Sequence, residues 1–227
     1  MMPNLGFRIL QRSERPSSSL LHQFQDVVTP HISDNLNRLH AICSGLRPYH
    51  QAGSRLVGAA LTVKTRPGDN LMVHKAIDLA EPGDVIVVDA GGDTTNAIVG
   101  EIMLRLAQKK QIAGFVIDGA IRDTAAFGND TFPVYARGIT HRGPYKDGPG
   151  EINVPVSVGG MVIEPGDIIV GDEDGLAVVP LREAEGLLKL IREQQVREQL
   201  ILQSIEEGTV NRDWVDQTLQ QKGCEGL

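Results

Sequence analysis

The sequence predicts an α/β protein built around a βαβ unit over residues 82–118 and followed by a long C-terminal helix. Three observations carry that expectation. Val85–Asp89 and Ala113–Asp118 are unbroken apolar runs, the pattern of strands buried on both faces. Between them Ile98, Met103, Leu104 and Ala107 recur at helical spacing, so a right-handed crossover should join two parallel strands. From Leu181 to Glu207, Leu187, Leu188, Ile191, Leu200 and Ile201 repeat at helical intervals among many charges.

In chain order, residues 17–42 read as helix, with Leu20, Leu21, Phe24, Val27 and Val28 on one face and Thr29-Pro30 interrupting it. Ser33-Asp34 suits the cap of a second short helix through Leu39. Arg55–Lys64 reads as a strand, Arg66–Asp69 as a turn, and His74–Leu79 as a short helix. The crossover helix is expected over Ala97–Lys110, with Lys109-Lys110 suited to its C-terminus. Pro133–Arg137 is a further strand, then a Gly/Pro-rich loop covers 138–150. Glu151–Val158, Met161–Ile163, Ile168–Val170 and Leu176–Val179 read as short strands, with a hairpin turn over Asp172–Gly175. Glu164-Pro165-Gly166-Asp167 echoes Glu81-Pro82-Gly83-Asp84, and the good turn chemistry of Pro-Gly-Asp accounts for that without an internal repeat. Residues 1–180 are therefore expected to form an α/β domain and 181–227 a helical extension. A helix of ~27 residues spans roughly 40 Å. Such a length suits packing on its own domain or reaching a neighbouring subunit.

Composition narrows the function. Aromatic residues are only 4% of the chain, too few for a base-stacking platform. The formal charge is −7 and no dense basic run occurs, which disfavours nucleic acid as a partner. Cys43 and Cys224 match neither a disulfide framework nor a zinc spacing, as expected of free thiols in a reducing cytoplasm. No stretch approaches the ~20 apolar residues of a membrane helix. The opening MMPNLGFRILQRSERP lacks the apolar core of a signal peptide, so a cytoplasmic location is expected.

The stretch 113–123, AGFVIDGAIRD, concentrates the chemistry: a buried strand that ends on Arg122-Asp123. Arg offers a planar fork to a carboxylate or enolate oxygen, and Asp offers a hard oxygen to a divalent cation. A mutual salt bridge is the structural alternative for an adjacent pair. Glu101 suits a base or a partner for metal-bound water, or else a carboxylate favoured at a helix start. Gly91-Gly92 and Gly100 would let backbone N–H groups receive an anion. His40, His74 and His141 have no ligand spacing and read as core or surface residues, although His141 could touch a second substrate carboxylate.

Taken together, these pieces resemble the RraA-like family, which includes 4-hydroxy-4-methyl-2-oxoglutarate/4-carboxy-4-hydroxy-2-oxoadipate aldolases. The family pattern is an acid, twenty residues, then Arg-Asp at a strand end. Here Glu101 in NAIVGEIM precedes Arg122-Asp123 in VIDGAIRD at that spacing. EPGDVIVVDAGG, the stretch from Asn153-Val154-Pro155 to Gly159-Gly160, and PGDIIVGDEDGLAVVP extend the resemblance across roughly 30–210. It implies a layered, swivelling β/β/α-type fold and a homotrimer or homohexamer with sites between subunits. The implied reaction is a class II retro-aldol cleavage of a 2-keto acid to pyruvate, with oxaloacetate decarboxylation through the same enolate. By resemblance, Asp123 would hold Mg²⁺ or Mn²⁺ and Arg122 would stabilise the enolate. N–H groups around Gly100, Ile102 and Met103 would hold the substrate carboxylate, and Glu101 would orient water. A glutamate from a neighbouring subunit's long helix, Glu198 or Glu193, would complete the site. Ala126 stands where some aldolases carry an acid, which bears on the choice of substrate. The family also implies a second reading, a non-catalytic protein that binds and inhibits a ribonuclease. A methyltransferase would need a nucleotide-type glycine loop, which Gly91-Gly92-Asp93 does not supply.

Overall fold

Residues 4–42 and 45–226 are described in the computed structural model of the chain, so the expectation for Cys43 falls outside them. β1 (Phe7–Ile9) is a short edge strand that periodicity does not announce. α1 (Ser18–His22) begins where the Ser17 hydroxyl accepts from the Leu20 N–H. The helix expected from residue 17 stops at His22, and the second does not start at Ser33: α2 spans Thr29–Asn35. The cause lies far off in sequence. The Asp172 carboxylate accepts from the N–H and the hydroxyl of Thr29, at 2.8 and 2.7 Å, and Pro30 occupies the first turn.

β2 (Arg47–Pro48) is followed by β3 (Leu56–Thr65), α3 (Leu71–Leu79) and β4 (Asp84–Asp89). α3 starts three residues earlier than its periodicity suggests, because the Asp69 carboxylate accepts the Leu71 N–H at 2.9 Å. The helix expected from Ala97 is also corrected. Ala97–Val99 is β5, paired with the end of β6, and the helix α4 (Glu101–Lys109) begins only after extended Gly100. Strand pairing has overridden a helical apolar pattern. β6 (Gly114–Ile121), α5 (Thr124–Gly128) and β7 (Val134–Ile139) follow. The single strand expected over 151–158 divides into β8 (Gly150–Ile152) and β9 (Val156–Val158), since Asn153 adopts a left-handed φ of 58°. β10 (Met161–Ile163), β11 (Ile168–Asp172) and β12 (Gly175–Val179) complete the strands. A 3₁₀ turn at Leu181–Glu183 leads into α6 (Ala184–Glu206), and α7 (Asp213–Gln221) follows.

The large sheet runs β1-β8-β3-β4-β6-β7-β2, with β3, β4, β6 and β7 parallel and β11 added antiparallel to β3. Its apolar runs serve two cores by alternation. Ile86, Val88, Phe115 and Ile117 face α3 and α4, whose Met72, Ile77, Met103 and Leu104 pack there. Val85, Val87 and Val116 face the other way, onto Val156, Ile163, Ile169 and Val178 of the later strands. The result is a helix layer, a sheet and a second β layer, in agreement with the β/β/α expectation.

Both Glu-Pro-Gly-Asp turns close alike. Asp84 and Asp167 accept the N–H of Glu81 and Glu164, at 3.0 and 2.9 Å, and both glycines have positive φ. The strands they start run in opposite senses beside β3, so turn chemistry and not a repeat explains the echo. Arg12 and Arg15 both pair with the fully buried Asp84, at 2.9 and 3.1 Å, and tie the N-terminal segment to the first turn.

The chain forms two compact units, one running to Leu188 and the other starting at Lys189 within α6. In the first, Ala184, Leu187 and Leu188 are buried. In the second, Val196, Leu200, Ile201 and Trp214 are exposed, as is Cys224. No described helix is long and apolar enough to cross a membrane.

Candidate active site

β6 carries the chain to Arg122, whose N–H donates to the Val99 carbonyl at 3.0 Å. Asp123 follows in the left-handed region, φ 59° and ψ 40°, a conformation that Asp tolerates better than most residues. That turn aims its carboxylate back at the start of α4, where Oδ2 accepts the Glu101 N–H at 3.0 Å and lies 3.8 Å from Arg122 Nε. The pair expected from the sequence thus sits at the C-terminal end of a parallel strand, beside a helix N-terminus.

Gly100 makes this approach possible. A Cβ there would stand 2.5 Å from Asp123 Oδ2 and 3.0 Å from Arg122 Cγ, so a side chain must displace both functional groups. Gly100→Ala is expected to lower turnover on the order of tenfold with little change in thermal stability, because a small misplacement is costly at a reacting centre. Steady-state kinetics beside a melting curve check this.

The N-terminal amides of α4 can be accounted for singly. Glu101 N–H is used by Asp123, and those of Met103 and Leu104 both donate to the Gly100 carbonyl at 3.1 Å. The Ile102 N–H is the donor of this turn left without a hydrogen bond among the described residues. Ile102 is itself 72% exposed, so an incoming anion can reach it.

Two cavities share Arg122 and Asp123. One, of about 450 Å³, is also lined by Thr124, Ile139, Thr140 and His141. The other, of about 70 Å³, adds Asn70, His74, Gly100, Ile102 and Lys146. A separate cavity of about 500 Å³, at His40, Asn153 and Asp167, includes neither residue of the pair. Gly91 and Gly92 also lie elsewhere. Their N–H groups donate to the Asp89 carboxylate and the Asp118 carbonyl, so they are not available to an anion as the sequence suggested.

Glu101 contributes its backbone to the pair, while its carboxylate meets Arg105 at 3.2 Å, and Arg105 in turn meets Asp130 at 2.9 Å. Exposed i,i+4 pairs are worth only ~0.3–0.5 kcal/mol, so little holds the carboxylate in that position. Glu193 and Glu198 belong to the second unit, where Gln194 donates to Glu198 at 2.8 Å. Ala126 is partly buried against the core.

The loop that carries Lys146 is held by Asp69. Its carboxylate accepts from the N–H groups of Leu71, Asp147 and Gly148 and from Arg66. Burial pushes this carboxyl up, but those donors and the Arg66 charge outweigh burial and hold it below the usual range. A lowered carboxyl stabilises the fold above its unfolded value and loses that contribution as pH falls through its folded value. Amide protection at Asp147 and Gly148 is therefore expected to persist from neutral pH down to 3.8 and to decay only below it. Hydrogen exchange across that range is the check. Burial, and then the Lys146 ammonium, pull His74 below its ordinary value against a weaker opposing effect of Asp78, which leaves a neutral imidazole in the small cavity.

Asn70, His74 and Lys146 are the site residues that sequence reasoning missed. Nothing in their spacing connects them to Arg122. Only the turn from β3 into α3 and the 138–150 loop bring them there.

Asp123 fits a hard divalent cation. Its side chain is 45% exposed, and Oδ1 has no partner among the described residues. No group of three or more His, Cys, Asp or Glu converges among the described residues.

A Halalkalibacterium halodurans protein, provisionally named a 4-hydroxy-4-methyl-2-oxoglutarate aldolase, is 47% identical over 173 residues, covering 76% of this chain and 82% of that protein. A Thermus thermophilus protein named 4-hydroxy-4-methyl-2-oxoglutarate aldolase is 35% identical, over 56% of this chain and 77% of its own. The crystal structure of Streptomyces coelicolor RraAS2, described as an unusual member of the RNase ES inhibitor RraA protein family, superposes with a TM-score of 0.75 at 28% identity, over 82% of this chain and 97% of that one. The RraA-like family model (Aldolase/RraA) matches residues 29–178, and the chain belongs to that family.

Proposed function

We propose that this chain is a divalent-metal-dependent lyase that cleaves 4-hydroxy-2-oxo acids of the 4-hydroxy-4-methyl-2-oxoglutarate type to pyruvate. The observation that carries this reading is the convergence of Arg122, Asp123 and the Ile102 N–H on the small cavity. The names of the two aldolase relatives support the substrate class.

Each residue has a role in a class II retro-aldol cleavage. The free Ile102 N–H at the positive end of α4 receives the substrate C1 carboxylate. Arg122 lies beside the 2-oxo oxygen and meets the negative charge that develops there as the C3–C4 bond breaks. Asp123 would hold Mg²⁺ or Mn²⁺, and the bound ion would supply positive charge against the developing enolate. Glu101, released from Arg105, orients the water that takes the C4 hydroxyl proton as the C3–C4 bond breaks and returns a proton to C3 of the enolate, giving pyruvate. Oxaloacetate loses carbon dioxide through the same enolate and is a second substrate. A homotrimer or homohexamer would bring Glu198 or Glu193 of a neighbouring copy to the site.

The test is pyruvate release coupled to lactate dehydrogenase, over several 4-hydroxy-2-oxo acids and oxaloacetate, with and without chelator. Release that chelation abolishes and Mg²⁺ or Mn²⁺ restores is expected. A second reading has in its favour the RNase-inhibitor family named for the Streptomyces coelicolor structure. Ribonuclease inhibition with no metal-stimulated pyruvate release would select that reading instead.

A further inference from the structure

We propose that Asn70 reads a hydroxyl group on the ligand: its Oδ1 accepts a hydrogen bond from an O–H that the bound 2-oxo acid carries into the small cavity. The idea rests on the keto-acid reading above, and its test is chosen so that the two can fail separately.

Asn70 is only 3% exposed and immediately precedes α3. Its backbone is fully engaged. The N–H donates to the Tyr145 carbonyl at 3.0 Å, and its carbonyl accepts the His74 N–H at 3.0 Å. The side-chain Nδ2 donates to the Ile98 carbonyl at 2.9 Å and approaches Met103 Sδ at 3.4 Å. Both of those partners are acceptors, so the amide cannot be turned over without setting oxygen against oxygen. Oδ1 is then the one hydrogen-bonding group of this residue with no partner among the described residues. Buried acceptors are rarely left in that state, and an orphan in a ligand cavity points to a partner that arrives from outside.

The surroundings decide what the partner is. The same cavity of about 70 Å³ holds Arg122, Lys146 and the start of α4 with the free Ile102 N–H. Those groups are donors, and they favour an anion. Asn70 Oδ1 is an acceptor placed among them. A carboxylate oxygen against it would bring two lone pairs together, whereas an alcohol O–H completes it. The cavity therefore suits a ligand that is both an acid and an alcohol. A site that hydrogen-bonds a substrate hydroxyl discriminates strongly against the analogue lacking it, because the buried partner is then stranded.

The experiment compares calorimetric binding of 4-hydroxy-2-oxobutanoate with that of 2-oxobutanoate, in the full chain with chelator present so that the hydroxylated acid is not consumed, and pyruvate release is assayed separately with Mg²⁺. The wild type is expected to prefer the hydroxylated acid by about ten- to a hundredfold. Asn70→Leu, similar in volume but without the acceptor, should bind the two acids equally. Asn70→Asp keeps an oxygen at the same place, so it should weaken both anions yet retain the preference. Because the readout is a ratio within one protein, general damage to folding cancels. Equal affinities in the wild type would mean that Lys146 or a resident water satisfies Oδ1, and would overturn the proposal. So would a preference that survives in Asn70→Leu. Should the wild type prefer the hydroxylated acid but release no pyruvate from it, the lyase reading falls while the role of Asn70 stands.

Discussion

Arg122→Ala and Asp123→Asn are each expected to reduce pyruvate release by about a thousandfold, the upper range for loss of one preorganised charge partner at a developing oxyanion. The two substitutions should fail differently. Arg122 is anchored through its backbone to Val99, so its side chain can be lost without disturbing β5 or β6. Arg122→Ala should therefore retain metal binding and lose turnover at saturating substrate. Asp123→Asn keeps an oxygen to accept the Glu101 N–H and keeps a residue type that tolerates φ 59°. It removes only the negative charge, so metal affinity and turnover should fall together. Metal titration by calorimetry alongside single-turnover kinetics separates the outcomes. Full activity in either variant would refute the lyase assignment.

Asp84→Asn is expected to cost ~3–5 kcal/mol of folding stability, the range for removing one partner of a buried charged cluster. Asp84 is fully buried and accepts from Arg12, Arg15 and the Glu81 N–H. The amide would leave two guanidinium groups facing a donor instead of a carboxylate. Asp167 occupies the matching place in the second turn and makes an internal control. No ion pair to it is found among the described residues, and burial pushes its carboxyl up, outweighing the N–H groups of Glu164 and Leu181 that act to lower it, while the Glu164 charge adds to the rise and Arg182 opposes it. A raised carboxyl means that folding favours the protonated form, so the ionised group weakens the fold as pH rises above 3.8. Asp167→Asn is accordingly expected to be neutral or stabilising at neutral pH. Urea denaturation of both variants checks the contrast, and a smaller loss in Asp84→Asn than in Asp167→Asn would contradict it.

The contrast between these turns shows how much was legible in advance. Glu-Pro-Gly-Asp is readable as a turn because Pro and Gly restrict and permit the backbone locally. Whether its aspartate is paired depends on Arg12 and Arg15, some seventy residues earlier, and no local rule connects them. The same division holds at the site. Arg122-Asp123 was visible because a buried strand ending on two charges is conspicuous in one dimension. Glu101 was visible through family spacing, but its role divides between a backbone N–H on Asp123 and a carboxylate on Arg105, and a letter in a sequence does not separate the two. β5 misled the helical reading because Ala97–Val99 is apolar under either periodicity, and pairing with β6 decides which applies.

By itself the amino-acid sequence determined the buried strands, the crossover helix, the long C-terminal helix and the Arg-Asp pair, since each follows from local periodicity or from adjacent residues. Only the tertiary structure decided that Gly100 must lack a side chain, that the Ile102 N–H is left free, and that Asn70, His74 and Lys146 join Arg122 in one cavity. Those facts depend on distances between segments far apart in the chain. Hydrogen-bond bookkeeping and steric contact act through space, and they become definite only once the sheet brings the segments together.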